Sequence, residues 1–145
     1  MDVASLKSVL PLETPDGQMI SLEEILAKNK GNVVYVDSWA SWCSPCLGQF
    51  PHSKALHKRL AGKDIEFLYI STDTDRKSWL DKVREHGDML AGSYRVLDTD
   101  VDFLKQIRLD KIPRYLIYDR NGKLVELDAP RPSDESAESR LMSFL

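Results

Sequence analysis

Two cysteines, Cys43 and Cys46, stand two residues apart in Trp39-Ala40-Ser41-Trp42-Cys43-Ser44-Pro45-Cys46, and the chain has no others. The pair directly follows an apolar run, Val33-Val34-Tyr35-Val36, and precedes Leu47, Phe50, Leu56 and Leu60 at helical spacing. It therefore sits where a buried strand turns into a helix. A helix N-terminus carries unpaired N–H groups and a partial positive charge, and both favour a thiolate over a thiol. Cys43 is thus a candidate nucleophile on position alone. A disulfide closing so short a loop restricts the unfolded chain little, so stability would not be the reason for a bond between the two.

Zinc binding and inert structural cysteines are the competing uses. A structural zinc needs four ligands, and no second cysteine pair exists. His52 and His57 are the nearest other ligands, but a spacing of five does not stack them on one helix face. No metal is expected.

The 145 residues suit one domain with one core, residues 1–145. With 42% hydrophobic and 30% charged residues, the balance is that of a soluble globular protein. A net charge of −3 gives no reason to expect nucleic acid as the main partner. No apolar run reaches the roughly 18–20 residues needed to cross a bilayer. Met1-Asp2-Val3-Ala4-Ser5 lacks the basic and apolar regions of a signal peptide, which points to the cytoplasm unless a leader or upstream domain has been removed.

Along the chain, Pro15-Asp16-Gly17 between short apolar pieces reads as a hairpin turn, with Gly supplying positive φ. Ser21 and Glu24 form a capping box for a helix from Leu22 to about Lys28. Val33–Ser38 is continuously apolar apart from Asp37, the pattern of a strand covered on both faces. The helix after Cys43 runs to about Leu60, with Pro51 expected to kink it. Ile65–Ser71 is a second buried strand, and Asp75 to about His86 an amphipathic helix with Trp79 as core, ended by Gly87. Tyr94–Leu97 is strand-like. Asp98 or Thr99 can cap a short helix through about Ile107. Arg114–Asp119 is a third buried strand, and Arg120-Asn121-Gly122-Lys123 turns it into Leu124–Leu127. Ser133, with Ser136 to Leu145, reads as a final helix. Strands joined first by helices and later by a hairpin make a mixed sheet in an α/β sandwich.

Residues 36–46, Val-Asp-Ser-Trp-Ala-Ser-Trp-Cys-Ser-Pro-Cys, resemble the active-site segment of thioredoxin-fold proteins. Pro51 matches the kink proline of the active-site helix, Ile112-Pro113 the cis-proline before the third strand, and Asp119–Lys123 the last hairpin. The N-terminal hairpin and an insertion around residues 75–97 resemble the TlpA/ResA-type branch of extracytoplasmic thiol-disulfide oxidoreductases. The resemblance covers roughly residues 6–145. It implies a thioredoxin-like three-layer sandwich, a central mixed β-sheet flanked by helices, with an N-terminal β-hairpin and a central insertion.

It also implies roles. Cys43 attacks and forms a mixed disulfide with a partner protein, and the more buried Cys46 resolves it, so the redox-active disulfide itself takes the place of a cofactor. Ser44-Pro45 tunes the pair, while Pro45 also suits the first helical turn. Asp37, costly to bury charged, is expected to have a raised pKa and is the candidate general base or acid for Cys46. The alternative is an exposed or salt-bridged strand end. Thioredoxins often pair this aspartate with a lysine on the neighbouring strand, where this chain offers Tyr69. Pro113 is expected to be cis, with the Ile112 backbone pairing to an extended substrate segment, and Trp42 to cover the rim. Lys111 and Arg114 replace a frequent glycine and threonine and are expected either to add positive charge near Cys43 or to be solvated surface charges.

The partners implied are protein thiols and disulfides, with a membrane-bound electron donor or acceptor, for a monomer located in the periplasm or otherwise outside the cytoplasm. Two other functions compete. A thioredoxin-fold peroxidase would use a Pro-x-x-x-Thr-x-x-Cys site, an arrangement that Cys43 and Cys46 lack. A non-catalytic redox-sensing or binding module is opposed by two intact cysteines.

Overall fold

The computed structural model describes residues 6–87 and 91–145. The fold is built outward from β3 (Val33–Trp39), which is buried along its whole length. Alternation along this strand divides the interior in two. Val33, Tyr35 and Trp39 face one core, with Cys46, Phe50 and Leu56 of α2 (Ser44–Arg59), Trp79 and Leu80 of α3 (Arg76–His86), and Ala137 and Leu141 of α5 (Ser136–Met142). Val34 and Val36 face the other, with Leu22, Ile25 and Leu26 of α1 (Leu22–Lys28) and Phe103 and Leu104 of α4 (Asp102–Gln106). The result is helix, sheet, helix: the three-layer sandwich implied by the resemblance.

Among the described residues the sheet has seven strands in the order β2-β1-β5-β4-β3-β6-β7. β4 (Ile65–Ser71) runs parallel to β3, and β5 (Ser93–Val96) parallel to β4, each reached through a helix. β6 (Arg114–Tyr118) and β7 (Leu124–Glu126) add antiparallel strands on the other side of β3. At the far edge, β1 (Pro11–Glu13) and β2 (Met19–Ser21) form the expected hairpin, with Gly17 at φ +88° in its turn and β1 paired to β5. Gly92 just before β5 must be glycine, because a Cβ there would lie 2.6 Å from the Phe67 carbonyl oxygen.

Most helix boundaries follow the predicted caps. Ser21 and Glu24 form the capping box of α1, and Asp75 caps α3, accepting from the Ser78 N–H at 3.3 Å. Gly87 ends α3 with positive φ. α2 continues through Pro51, whose ring cannot donate to the Leu47 carbonyl one turn earlier. Two expectations need correction. α4 begins at Asp102 with Val101 at its N-cap, because the Asp98 carboxylate instead accepts from the Asp100 N–H at 2.8 Å. The last helix is confined to Ser136–Met142, since Ser133 is held from its side by Gln49 of α2, through bonds of 2.9 and 3.0 Å. The N-terminal stretch Met1–Ser5 and residues 88–90 of the central insertion lie outside the described residues.

Candidate active site

Cys43 is the N-cap of α2, with Pro45 in the first turn where its missing N–H is not needed. The turn that delivers Cys43 is closed by its own N–H donating to the Ala40 carbonyl at 3.1 Å. Cys43 and Cys46 are joined as a disulfide, their Cα atoms 5.2 Å apart. The Cys46 N–H donates to the Cys43 sulfur at 3.2 Å. That donor and the positive end of the helix both stabilise negative charge on Cys43, the condition for a reactive thiolate. Cys43 is 5% exposed and Cys46 fully buried, so the order of access matches expectation, although even the outer sulfur is nearly covered.

The loop before β6 closes the site from the opposite side. The Ile112-Pro113 peptide bond is cis. The Ile112 carbonyl oxygen lies 3.9 Å from the Cys43 sulfur. Trp42, 72% exposed, stands beside this loop and shares a cavity of about 200 Å³ with Thr72, Leu109, Lys111 and Ile112. Trp39 is wholly buried and packs edge-on against Phe50, as expected of core.

Asp37 lies two residues inside β3 rather than at its end, since the strand continues to Trp39. Alternation puts its side chain on the Trp39 and Tyr35 face, the same layer as Cys46. It is 3% exposed, and neither carboxylate oxygen has a hydrogen-bond partner. Desolvation pushes its pKa well above the usual carboxylate value. The exposed or salt-bridged alternative is thereby removed. Its neighbours across the sheet are Tyr69 on β4 and Tyr115 on β6, each directly opposite. The Tyr69 and Ser53 hydroxyls share a hydrogen bond of 2.7 Å, whereas the Tyr115 hydroxyl is buried without a partner. Burial raises the pKa of both phenols, and the nearby Asp37 adds to the rise.

Lys111 and Arg114 separate. Lys111 is an exposed side chain on the Trp42 cavity. Arg114 is turned to the backbone: it donates to the carbonyls of Ile107 at 2.9 Å, Leu127 at 3.1 Å and Arg108 at 2.7 Å. Its charge braces the end of α4 against the segment after β7. The sequence reading also missed Ser41 and Asp73. The buried Asp73 carboxylate accepts from the Ser41 N–H at 2.9 Å and the Ser41 hydroxyl at 2.7 Å, gripping the active-site turn. The available signal was position: Ser71-Thr72-Asp73 ends the strand parallel to β3, and the carboxyl ends of such strands are where α/β sites gather. Among the described residues, no group of three or more His, Cys, Asp or Glu side chains is gathered where it could hold a metal ion. No helix among them is long and apolar enough to cross a membrane.

The redoxin family profile matches residues 6–143. The chain belongs to the redoxin family. A Bacteroides vulgatus protein assigned as a thiol-disulfide oxidoreductase is 36% identical, with a TM-score of 0.79 over 93% of this chain and 91% of that one. The thioredoxin domain of another Bacteroides vulgatus thiol-disulfide oxidoreductase, 21% identical, superposes with a TM-score of 0.80 over 99% of this chain and 98% of that one, which establishes the thioredoxin-like fold. Among curated relatives, the thiol-disulfide oxidoreductase ResA of Bacillus subtilis is 24% identical over 116 residues, 80% of this chain. This chain spans 61% of the length of that relative. Within the redoxin family, the chain is similar to these thiol-disulfide oxidoreductases, and its Cys43–Cys46 pair forms a disulfide.

Proposed function

We propose that the protein exchanges two electrons with cysteines of partner proteins, with Cys43 attacking, Cys46 resolving and Asp37 moving the proton of Cys46. The observation that carries this reading is the placement of Cys43 as N-cap of α2, its sulfur receiving the Cys46 N–H at 3.2 Å.

In the reducing direction, the Cys43 thiolate attacks one sulfur of a partner disulfide, forming the mixed disulfide and releasing the other partner sulfur as a thiolate. Cys46 then loses its proton, and its thiolate attacks the Cys43 sulfur. The intermolecular bond breaks, the second partner sulfur leaves, and the Cys43–Cys46 bond of this structure forms. The partner gains two electrons, and its two thiolates take one proton originating from Cys46 and one from solvent; the protein loses two electrons and the Cys46 proton. The reverse sequence oxidises a partner dithiol, and the difference in reduction potential decides which way electrons flow. The raised pKa of Asp37, which makes its ionised form a stronger base, and its position on the same face of β3 as the Cys46 layer support its taking up and returning that proton.

Trp42, Ile112 and Pro113 form the rim against which the partner docks. An extended segment pairs with the Ile112 backbone while its side chains meet Trp42 and Lys111. The ResA likeness and the N-terminal hairpin support placement outside the cytoplasm, with a membrane-bound protein as electron donor or acceptor; the reading takes the chain to act as a monomer. The test is a trap. With Cys46→Ser, a partner disulfide becomes locked on Cys43, and mass spectrometry of the adduct reads the captured sequence. Adducts on Cys46 in the Cys43→Ser protein instead, or failure of the oxidised wild type to accept electrons from dithiothreitol, would overturn the reading.

A further inference from the structure

The active-site turn is gripped from the end of β4 by a carboxylate that thiol-disulfide exchange itself does not require. Asp73 is 2% exposed. Besides both bonds from Ser41, its carboxylate accepts from the Ser71 hydroxyl at 2.5 Å, and Ser71 in turn accepts from the Asp73 N–H at 2.9 Å. Next to it, the Thr72 N–H donates to the Trp39 carbonyl at 2.9 Å. These bonds fix the strand end and the Ala40–Cys43 turn as one unit.

That unit is tied to the N-terminal hairpin. The Arg95 guanidinium donates to the Asp73 carbonyl at 3.1 Å and to the Glu13 carboxylate at 2.6 Å. Glu13 and Arg95 face each other directly across the β1–β5 ladder, and Arg95 faces Ser71 across β5–β4. Ser71 in turn stands opposite Trp39 of β3. One row of residues therefore crosses four strands from the hairpin to the catalytic strand. Arg76 adds a second cation to Glu13 at 3.3 Å and holds the hairpin turn through the Pro15 carbonyl at 2.9 Å. An Arg–Glu pair this sheltered keeps its geometry, because exposed pairs are weak chiefly through screening and side-chain freedom.

We propose that Asp73 is a positioning residue for Cys43, and that the hairpin acts on the redox pair through Glu13, Arg95 and Asp73. The inference rests on Cys43 being the attacking sulfur. By fixing Ser41, Asp73 sets the turn that places Cys43 at the N-cap, where the Cys46 N–H meets its sulfur. Loosening the turn misaligns that donor and weakens the thiolate.

The sign of the effect separates positioning from simple charge. A nearby carboxylate acting only through its charge would oppose the thiolate, so removing it would lower the Cys43 pKa. Positioning predicts the opposite. The experiment titrates the thiolate absorbance of the reduced protein and measures the pH dependence of alkylation by iodoacetamide, mapping the modified cysteine. Asp73→Ala is expected to raise the Cys43 pKa and to slow attack on a small disulfide by roughly ten- to a hundredfold, the usual penalty for a misplaced reacting group. Asp73→Asn, which keeps an acceptor for the Ser41 N–H, restores most of both. Glu13→Gln and Ser41→Ala shift the pKa the same way by less, and they carry the test should Asp73→Ala not fold. A Cys43 pKa that falls in Asp73→Ala and Asp73→Asn alike, or stays fixed in folded Glu13→Gln and Ser41→Ala, overturns the proposal. Alkylation at Cys46 in place of Cys43 overturns both this inference and the assignment of the attacking sulfur.

Discussion

Tyr69 stands directly opposite Asp37 across the β3–β4 ladder, yet its hydroxyl is hydrogen-bonded to Ser53 while both Asp37 oxygens are left bare. No cation among the described residues bonds to this carboxyl, and the strand position where thioredoxins often carry lysine holds a neutral phenol. The energetic consequence is an aspartic acid that folds far more readily protonated than charged.

That preference makes stability depend on pH with a definite sign. Between the usual carboxylate pKa and the raised folded value, the unfolded chain has released a proton that the folded protein retains. Folding then takes up a proton, so stability falls as pH rises through this window, by up to about 1.4 kcal/mol per pH unit. Urea unfolding of the oxidised protein from about pH 4 to about pH 8 reads the slope. Asp37→Asn is expected to flatten it and to be the more stable protein at the upper end. An unchanged slope would remove Asp37 as its source.

Arg114 and Lys111 are expected to behave as opposites although they lie three residues apart. Arg114→Ala removes a donor from three backbone carbonyls, of which that of Arg108 keeps the Asp110 N–H, and is expected to cost roughly 2 kcal/mol in chemical denaturation. Lys111→Ala is expected to change stability by less than about 0.5 kcal/mol, as for other exposed substitutions. Its effect belongs in the rate of mixed-disulfide formation with an acidic partner, and there the salt dependence should weaken. Equal stability losses in the two variants would contradict this division.

The same contrast separates the tryptophans. Trp79 is fully buried, and Trp79→Ala should destabilise by about 3–5 kcal/mol. Trp42→Ala should leave the unfolding midpoint nearly unchanged and reduce the rate toward a protein disulfide by about tenfold or more, with little change toward a small aromatic disulfide. A Trp42→Ala protein that loses both rates equally would place Trp42 in the chemistry rather than on the docking rim.

Much of this was legible before any coordinates, and for identifiable reasons. The α1 capping box, the Gly17 turn, the strand containing Asp37 and the Cys43 N-cap are local features, written in residues at most a few positions apart. The burial of Asp37 was legible as one of two readings of a carboxylate next to a continuous apolar run, and the continuation of β3 to Trp39 decides it against an exposed or salt-bridged strand end. What failed was choice among equivalent local signals: Asp98, Thr99 and Ser133 are all competent caps, but the Asp98 carboxylate turns to the Asp100 N–H two residues on, and Ser133 is taken by Gln49 reaching across from α2. The Asp73 grip on Ser41 joins residues 32 positions apart, and Arg114 spends its charge on carbonyls from two different segments. Such pairings exist only once the strands are aligned.

The Ser53–Tyr69 bond is the clearest of these long-range pairs, because both hydroxyls are buried and each is the other's partner at 2.7 Å. It joins α2, two residues past Pro51, to the strand facing Asp37. Tyr69→Phe is expected to strand the Ser53 hydroxyl and to cost about 1–3 kcal/mol, and Ser53→Ala to strand the phenol at a similar cost. Removing both partners leaves no orphan, so the double variant should be less destabilised than the sum of the two, by about 1 kcal/mol or more. Thermal and urea unfolding of the four proteins at one pH close the cycle. If the two losses simply add, the hydroxyls are not paired in solution and the link between α2 and the Asp37 neighbourhood is absent.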